Sequence, residues 1–258
     1  VYRTDPSALL LLIELYVTQK DWESGIQAAM KYQSLSGESQ RELIAHFMME
    51  CAEADFEEQR PESVMRWIDR AESEHPNAPR VLIMLGKVLY AQGKYQDGLS
   101  VWMSLRENHP GFFVLVLPQF VETCRRLTRM SECLETLMEF FLEIPCEETF
   151  RSIFQIPTEL SGEASGHQLA RELFLKSGHS ALIIPVFASL KGEMGNFEDA
   201  SDIVFKKIAD GLKTTLCHKC EGCGFEANSH YWRCPACQSW DTYSPIKTNT
   251  TRDKNDGR

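Results

Sequence analysis

Two histidine-proline pairs, His75-Pro76 and His109-Pro110, stand 34 residues apart, and the residues between them fall into register. Counted from Pro79, Leu82, Leu85, Gly86 and Leu89 share one helical face. Gly93-Lys94-Tyr95 supplies a turn, and Gly98, Trp102 and Leu105 share a face of a second helix. Small residues let two antiparallel helices approach closely, and the large residues fill the space on either side. A unit of this kind cannot bury both of its faces alone, so it must stack on copies of itself.

These small and large positions are those of a tetratricopeptide unit, and the register extends upstream. From Ala45, the residues Ala52, Val64, Ile68 and Ala71 take equivalent offsets. From Pro6, so do Ile13, Tyr16, Lys20-Asp21-Trp22, Gly25 and Ala29, with about five extra residues before the next unit. Pro6 suits a helix start, with Asp5 as its cap. Downstream, Val114 to Arg126 and Ser131 to Leu142 keep a helical period around Thr128-Arg129-Met130, which reads as a fourth, divergent pair. Pro145, Pro157, Gly162 and Gly166 make residues 145 to 166 read as irregular helix and loop. Helical patterning resumes from His167 to Lys176, and 181 to 191 with 197 to 207 form a last pair. The expected fold is all-α: a tetratricopeptide-type repeat superhelix over residues 1–210, offering a protein-binding surface.

The second constraint is Cys220-x2-Cys223-x10-Cys234-x2-Cys237. Each Cys-x2-Cys turn directs two thiolates at one ion, and two turns complete the four-sulfur tetrahedron favoured by zinc or by a single iron. No ligand position remains open, so the site reads as structural rather than catalytic. Cys217 offers a competing first turn. Gly224 favours Cys220 with Cys223, because glycine supplies the positive φ needed after the second thiolate, and Phe225 can then pack beneath. His218 or His230 could replace one sulfur, although four spaced cysteines make that unnecessary. A small metal module over residues 211–246 and a disordered polar tail over 247–258 follow.

Composition narrows the function. Nine cysteines, five of them within 217 to 237, are a metal pattern rather than a disulfide framework, and point to a reducing compartment. The net charge of −10 is concentrated in residues 1 to 210, with 20 basic against 32 acidic residues, which argues against a nucleic-acid backbone as the main partner. The longest apolar runs are too short to cross a bilayer, and the first residues lack the features of a signal peptide, so a soluble fragment is expected. His75 and His109 share one repeat position and read as structural. Cys51, Cys124, Cys133 and Cys146 read as small buried hydrophobes. Glu57-Glu58 and Glu147-Glu148 read as solvated helix faces. No phosphate-binding loop or nucleophile motif is visible, so no enzyme is expected. Phe225, Tyr231, Trp232, Trp240 and Tyr243 suit a miniature core around the metal with a seam against the last helices, or else a base-stacking platform.

Helical repeats followed by such a knuckle pair make the chain resemble the lipopolysaccharide assembly protein B family. The resemblance is carried by Tyr2-Arg3-Thr4-Asp5-Pro6-Ser7-Ala8-Leu9-Leu10, by Cys220-x2-Cys223-Gly224-Phe225, and by Tyr231-Trp232-Arg233-Cys234-Pro235-x-Cys237. It implies a rubredoxin-like module holding one iron or zinc ion. It also implies a non-enzymatic adaptor on the cytoplasmic side of the bacterial inner membrane, held there by an N-terminal anchor that this fragment lacks. Its implied partners are the protease FtsH, the deacetylase LpxC whose turnover it promotes, and a further inner-membrane regulator; self-association is compatible with it. An electron-transfer protein or a nucleic-acid-binding ribbon on the same scaffold are the alternatives.

Overall fold

The computed structural model describes residues 5–177, 218–227 and 229–245. Among these are eleven α-helices and a three-stranded sheet, divided into two compact units, Val1–His109 and Pro110–Arg258. The first unit holds three antiparallel helix pairs: α1 (Pro6–Gln19) with α2 (Trp22–Ser36), α3 (Arg41–Glu57) with α4 (Pro61–Glu74), and α5 (Pro79–Ala91) with α6 (Tyr95–Asn108). Their starts follow from sequence. The Asp5 carboxylate accepts from Ser7 N at 3.0 Å and that of Asp21 from Ser24 N at 3.2 Å, while Pro6, Pro61 and Pro79 open helices where no amide donor is needed.

The second unit opens with a short α7 (Pro110–Phe113) and a 3-10 turn (Val114–Val116). It continues through α8 (Leu117–Arg126), α9 (Met130–Glu143), α10 (Glu147–Ser161) and α11 (Glu163–Ser177). The expected single helix over 114–126 is thus broken, with Pro118 placed in the first turn of α8, where its missing amide costs nothing.

One turn joins the helices in four successive pairs. Lys20, Gln59, Gly93 and Thr128 all take the left-handed conformation, with φ of 56°, 57°, 74° and 57°. The amide of the next residue reaches the carbonyl five positions back in each case, from Asp21 to Tyr16, Arg60 to Asp55, Lys94 to Leu89 and Arg129 to Cys124, at 2.8–2.9 Å. The second helix then brings Gly25 and Gly98 against the first, and Val64 and Cys133 hold the equivalent places in the other two pairs. The extra residues between the first two units form the Gly37–Gln40 connection, where the Tyr32 hydroxyl donates to Glu38 at 2.6 Å.

Three of the four second helices also end alike, whereas α2 ends at Gly37 with φ 76°. His75, His109 and Ile144 have φ of −135°, −139° and −132°, each donates its amide to the carbonyl four residues back at 2.8 Å, and each precedes a proline. The histidines therefore occupy a shared structural position, as their spacing implies. The ring of His109 reaches Asn77 O at 2.7 Å, tying the end of α6 to the turn before α5.

Residues 145 to 166 depart from the sequence expectation. Instead of irregular helix and loop they form all of α10, the turn at Gly162 (φ 89°) and the start of α11. Pro157 lies inside the helix, and the buried Phe150, Ile153, Phe154 and Ile156 anchor the face around it. Gly166 is a contact point rather than a breaker: a Cβ there would meet Thr158 Oγ1 at 2.1 Å and Phe154 O at 2.9 Å.

The sheet has order β2-β1-β3, all antiparallel, with β1 (His218–Cys220) in the centre between β2 (Glu226–Ala227) and β3 (Tyr243–Pro245). The expected last helix pair, the link at 211 to 216, Cys217 and the tail at 247–258 lie outside the described residues. Among the described residues no helix is long and apolar enough to cross a membrane.

Candidate metal centre

The sheet and two irregular loops present the four cysteines. Cys220 ends β1, and its amide donates to Phe225 O at 2.9 Å while Gly224 N donates to Cys220 O at 2.8 Å. The second loop repeats the pattern: Cys234 N donates to Ser239 O and Gln238 N to Cys234 O, both at 2.8 Å. Gly224 and Gln238 hold equivalent positive φ values of 76° and 63°. The two loops are thus copies of one knuckle, and only the first marks its left-handed position with glycine.

The arrangement brings the sulfurs of Cys220, Cys223, Cys234 and Cys237 within 4.8 Å of one another. Cys220 Sγ lies 3.6 Å from Cys237 Sγ, and Cys223 Sγ lies 3.7 Å from Cys234 Sγ. A zinc–sulfur bond of about 2.3 Å sets a tetrahedral sulfur–sulfur edge of about 3.8 Å, so the donor set fits one such ion. Cys220 and Cys234 are buried, whereas Cys223 and Cys237 face outward. Of the alternative ligands, the rings of His218 and His230 lie outside this cluster and pack edge-to-face on each other at 5.5 Å. Burial holds His218 below the ordinary imidazole range.

Two hydroxyl groups that sequence reasoning did not single out flank the sulfurs. Thr242 Oγ1 is 3.2 Å from Cys220 Sγ and Ser239 Oγ is 3.4 Å from Cys237 Sγ. Against a thiolate, a hydroxyl is the donor, and such bonds orient a ligand and temper its charge. The Thr242 contact holds the Cys220 thiol down, to about 6. The only sequence signal for either residue is its place just beyond the second knuckle.

The aromatic residues pack among themselves and onto a helix. Tyr243 is fully buried beneath the site, with Phe225 and Tyr231 against it at centroid distances of 6.4 and 5.8 Å. Trp232 lies flat on Phe112 of α7 at 5.4 Å and 6°, and His230 packs edge-on to both rings. A seam between the module and helix is thus present at Phe112; the last helix pair, where it was expected, is outside the described residues. Trp240 is held by the Arg233↔Trp240 bridge, with the Arg233 guanidinium 5.9 Å from its ring centroid.

Residues 218–245 match a family model described as a rubredoxin metal binding domain. The chain is 23% identical over 248 residues to lipopolysaccharide assembly protein B of Escherichia coli strain K12, covering 93% of this chain and 62% of that protein. The Haemophilus influenzae protein of the same name is 21% identical over 247 residues, covering 93% and 61%. The chain therefore spans about three-fifths of the length of these curated relatives. Among solved structures, one from a study of Pseudomonas aeruginosa pilF is similar at 12% identity and a TM-score of 0.45, over 80% of this chain and 88% of that one.

Proposed function

We propose that this chain, a homologue of lipopolysaccharide assembly protein B over 93% of its length, is the protein-binding part of a non-enzymatic adaptor in lipopolysaccharide biosynthesis. The observation that carries this reading is one chain joining stacked helix pairs to a four-sulfur cluster that fills its own tetrahedron. Stacked helix pairs offer a surface for another protein. Cys220, Cys223, Cys234 and Cys237 hold one zinc or iron ion. When bound, that ion cross-links the two knuckles and supplies no open position for a substrate. The residues around it act mechanically: Thr242 and Ser239 orient two sulfurs, Tyr243 fills the space beneath, and Trp232 fastens the module to Phe112.

The finer reading is that the adaptor presents the deacetylase LpxC to the membrane protease FtsH, at the cytoplasmic side of the inner membrane, where a further inner-membrane regulator acts on the same pathway. Expressing the chain fused to a membrane-spanning helix in cells lacking their own copy tests this. LpxC half-life is expected to shorten, and FtsH and LpxC to be captured together with the protein. An unchanged half-life with normal protein levels would overturn the adaptor reading. An electron-transfer role is tested separately by elemental analysis and voltammetry, since it requires iron with a reversible couple.

A further inference from the structure

Cys124 and Cys133 take no part in the four-cysteine cluster, and both are buried. They stand at a pair of positions that recurs in all four helix pairs joined by the left-handed turn, four residues before the turn residue and five after it. The equivalent pairs are Tyr16 with Gly25, Asp55 with Val64, and Leu89 with Gly98. The same hydrogen bonds frame the fourth pair: Arg129 N donates to Cys124 O at 2.8 Å and Cys133 N to Arg129 O at 3.1 Å.

At two of these positions the close approach of the paired helices is explicit. A Cβ built on Gly25 would lie 3.8 Å from Tyr16 Cβ, and one built on Gly98 would lie 3.6 Å from Leu89 Cβ. Disulfides need a Cβ separation of about 3.5–4.5 Å, with a mean near 3.8 Å. In the fourth pair alone, cysteine stands on both sides of that gap. We propose that Cys124 and Cys133 form a modifiable dithiol that closes to a disulfide when a peroxide reaches it, stapling α8 to α9.

The roles of the two sulfurs differ. The hydrogen bond from Cys133, helped by the positive charge of Arg129, holds the Cys124 thiol below its ordinary range against burial, whereas Cys133 is pushed up. Cys124 is therefore the attacking thiolate. Its sulfur attacks one peroxide oxygen, the O–O bond breaks, and a sulfenic acid forms with release of hydroxide, which is protonated to water. Cys133 sulfur then attacks Cys124 sulfur, the S–S bond forms, the S–O bond breaks, and the hydroxyl leaves as water with the Cys133 proton. Two thiols lose two electrons and two protons, and one peroxide becomes two waters. Both sulfurs are shielded, so the reaction proceeds through local opening of the hairpin.

The test uses the complete zinc-loaded chain, whose metal-bound thiols are protected, treated with hydrogen peroxide, alkylated after denaturation and digested with trypsin. Arg125, Arg126 and Arg129 lie between the two cysteines, so cleavage separates their peptides unless a disulfide joins them. The expected product is that linked pair, lighter by two hydrogens than its parts; Cys146 shares the tryptic peptide 130–151 with Cys133, so fragmentation is used to place the bond at Cys133 and the alkyl group at Cys146, with Cys51 alkylated as a free thiol. The melting midpoint should rise on oxidation of the wild type and not of Cys133→Ser, which keeps a hydroxyl donor beside Cys124 but has no resolving sulfur, so that Cys124 instead accumulates as a dimedone-reactive sulfenic acid. Recovery of Cys124 and Cys133 as separate peptides after oxidation, or linkage of either to a different cysteine, would overturn the proposal.

Discussion

Removing either ring of the Trp232–Phe112 stack should loosen the metal module from α7, and removing both should cost less than the two losses added together. The rings are nearly parallel, at 6°, with centroids 5.4 Å apart, an offset-stacked geometry. Pairs of this kind contribute about 0.5–1.5 kcal/mol beyond the area they bury. Converted at about 1.4 kcal/mol per tenfold, that coupling is roughly a two- to twelve-fold change in the equilibrium between docked and undocked module. His230 lies edge-on to both rings, 5.7 Å from Phe112 and 4.5 Å from Trp232, so the coupling should fall further when His230→Ala is the background. The measurement is a double-mutant cycle with Phe112→Ala and Trp232→Ala on the zinc-loaded protein, scored by urea-dependent zinc release to a chromogenic chelator. The four sulfurs belong to other residues, so zinc content before denaturant should match the wild type. Strict additivity of the two single effects would refute the claim that this contact fastens the module.

Cys234→Ser should lose the metal and lower the melting temperature of the module; unchanged metal content with an unchanged melting curve would contradict the assigned ligands. Gly86→Ala puts a methyl group 2.1 Å from Nε1 of the fully buried Trp102, and should cost about 1–3 kcal/mol by overpacking, read from thermal denaturation. Acid should weaken the fourth helix pair. The Arg125 hydrogen bond holds Glu122 below the usual carboxylate range and the Arg129 hydrogen bond does the same for Glu132, so their contribution is present above the unfolded value near 4.5 and is lost as pH falls through the lower folded values. Glu122→Gln should therefore flatten part of the acid limb of a stability-against-pH curve.

The repeat was legible because its signals are local. Pro76 and Pro110 mark chain positions that cannot continue a helix, and Gly86 opposite Trp102 is a volume rule readable in one dimension. The same habit misread residues 145 to 166. Glycine and proline read as breakers in one dimension, yet Gly166 is small because Thr158 leaves no room, and Pro157 is tolerated because buried neighbours hold its helix. In the knuckles, Gly224 announced a left-handed residue, whereas Gln238 adopts the same conformation with no sequence mark. Thr242 and Ser239 escaped notice for a related reason. A hydroxyl beside a sulfur depends on how two loops fold back on each other, and spacing along the chain does not encode that.

Metal capture and helix docking are joined through a very short stretch of chain. Trp232 lies two residues before Cys234, so the candidate metal knuckle and the ring that rests on Phe112 cannot move independently. Linkage makes the relation reciprocal: if an ion strengthens docking by some factor, docking strengthens retention of that ion by the same factor. A protein that pried the ring from Phe112 would thereby favour release of the metal, and a chelator would favour exposure of Phe112. If the four sulfurs bind an ion, the stack converts occupancy of a closed inorganic site into accessibility of an apolar side chain on a helix, a signal for a binding partner that never approaches the sulfurs.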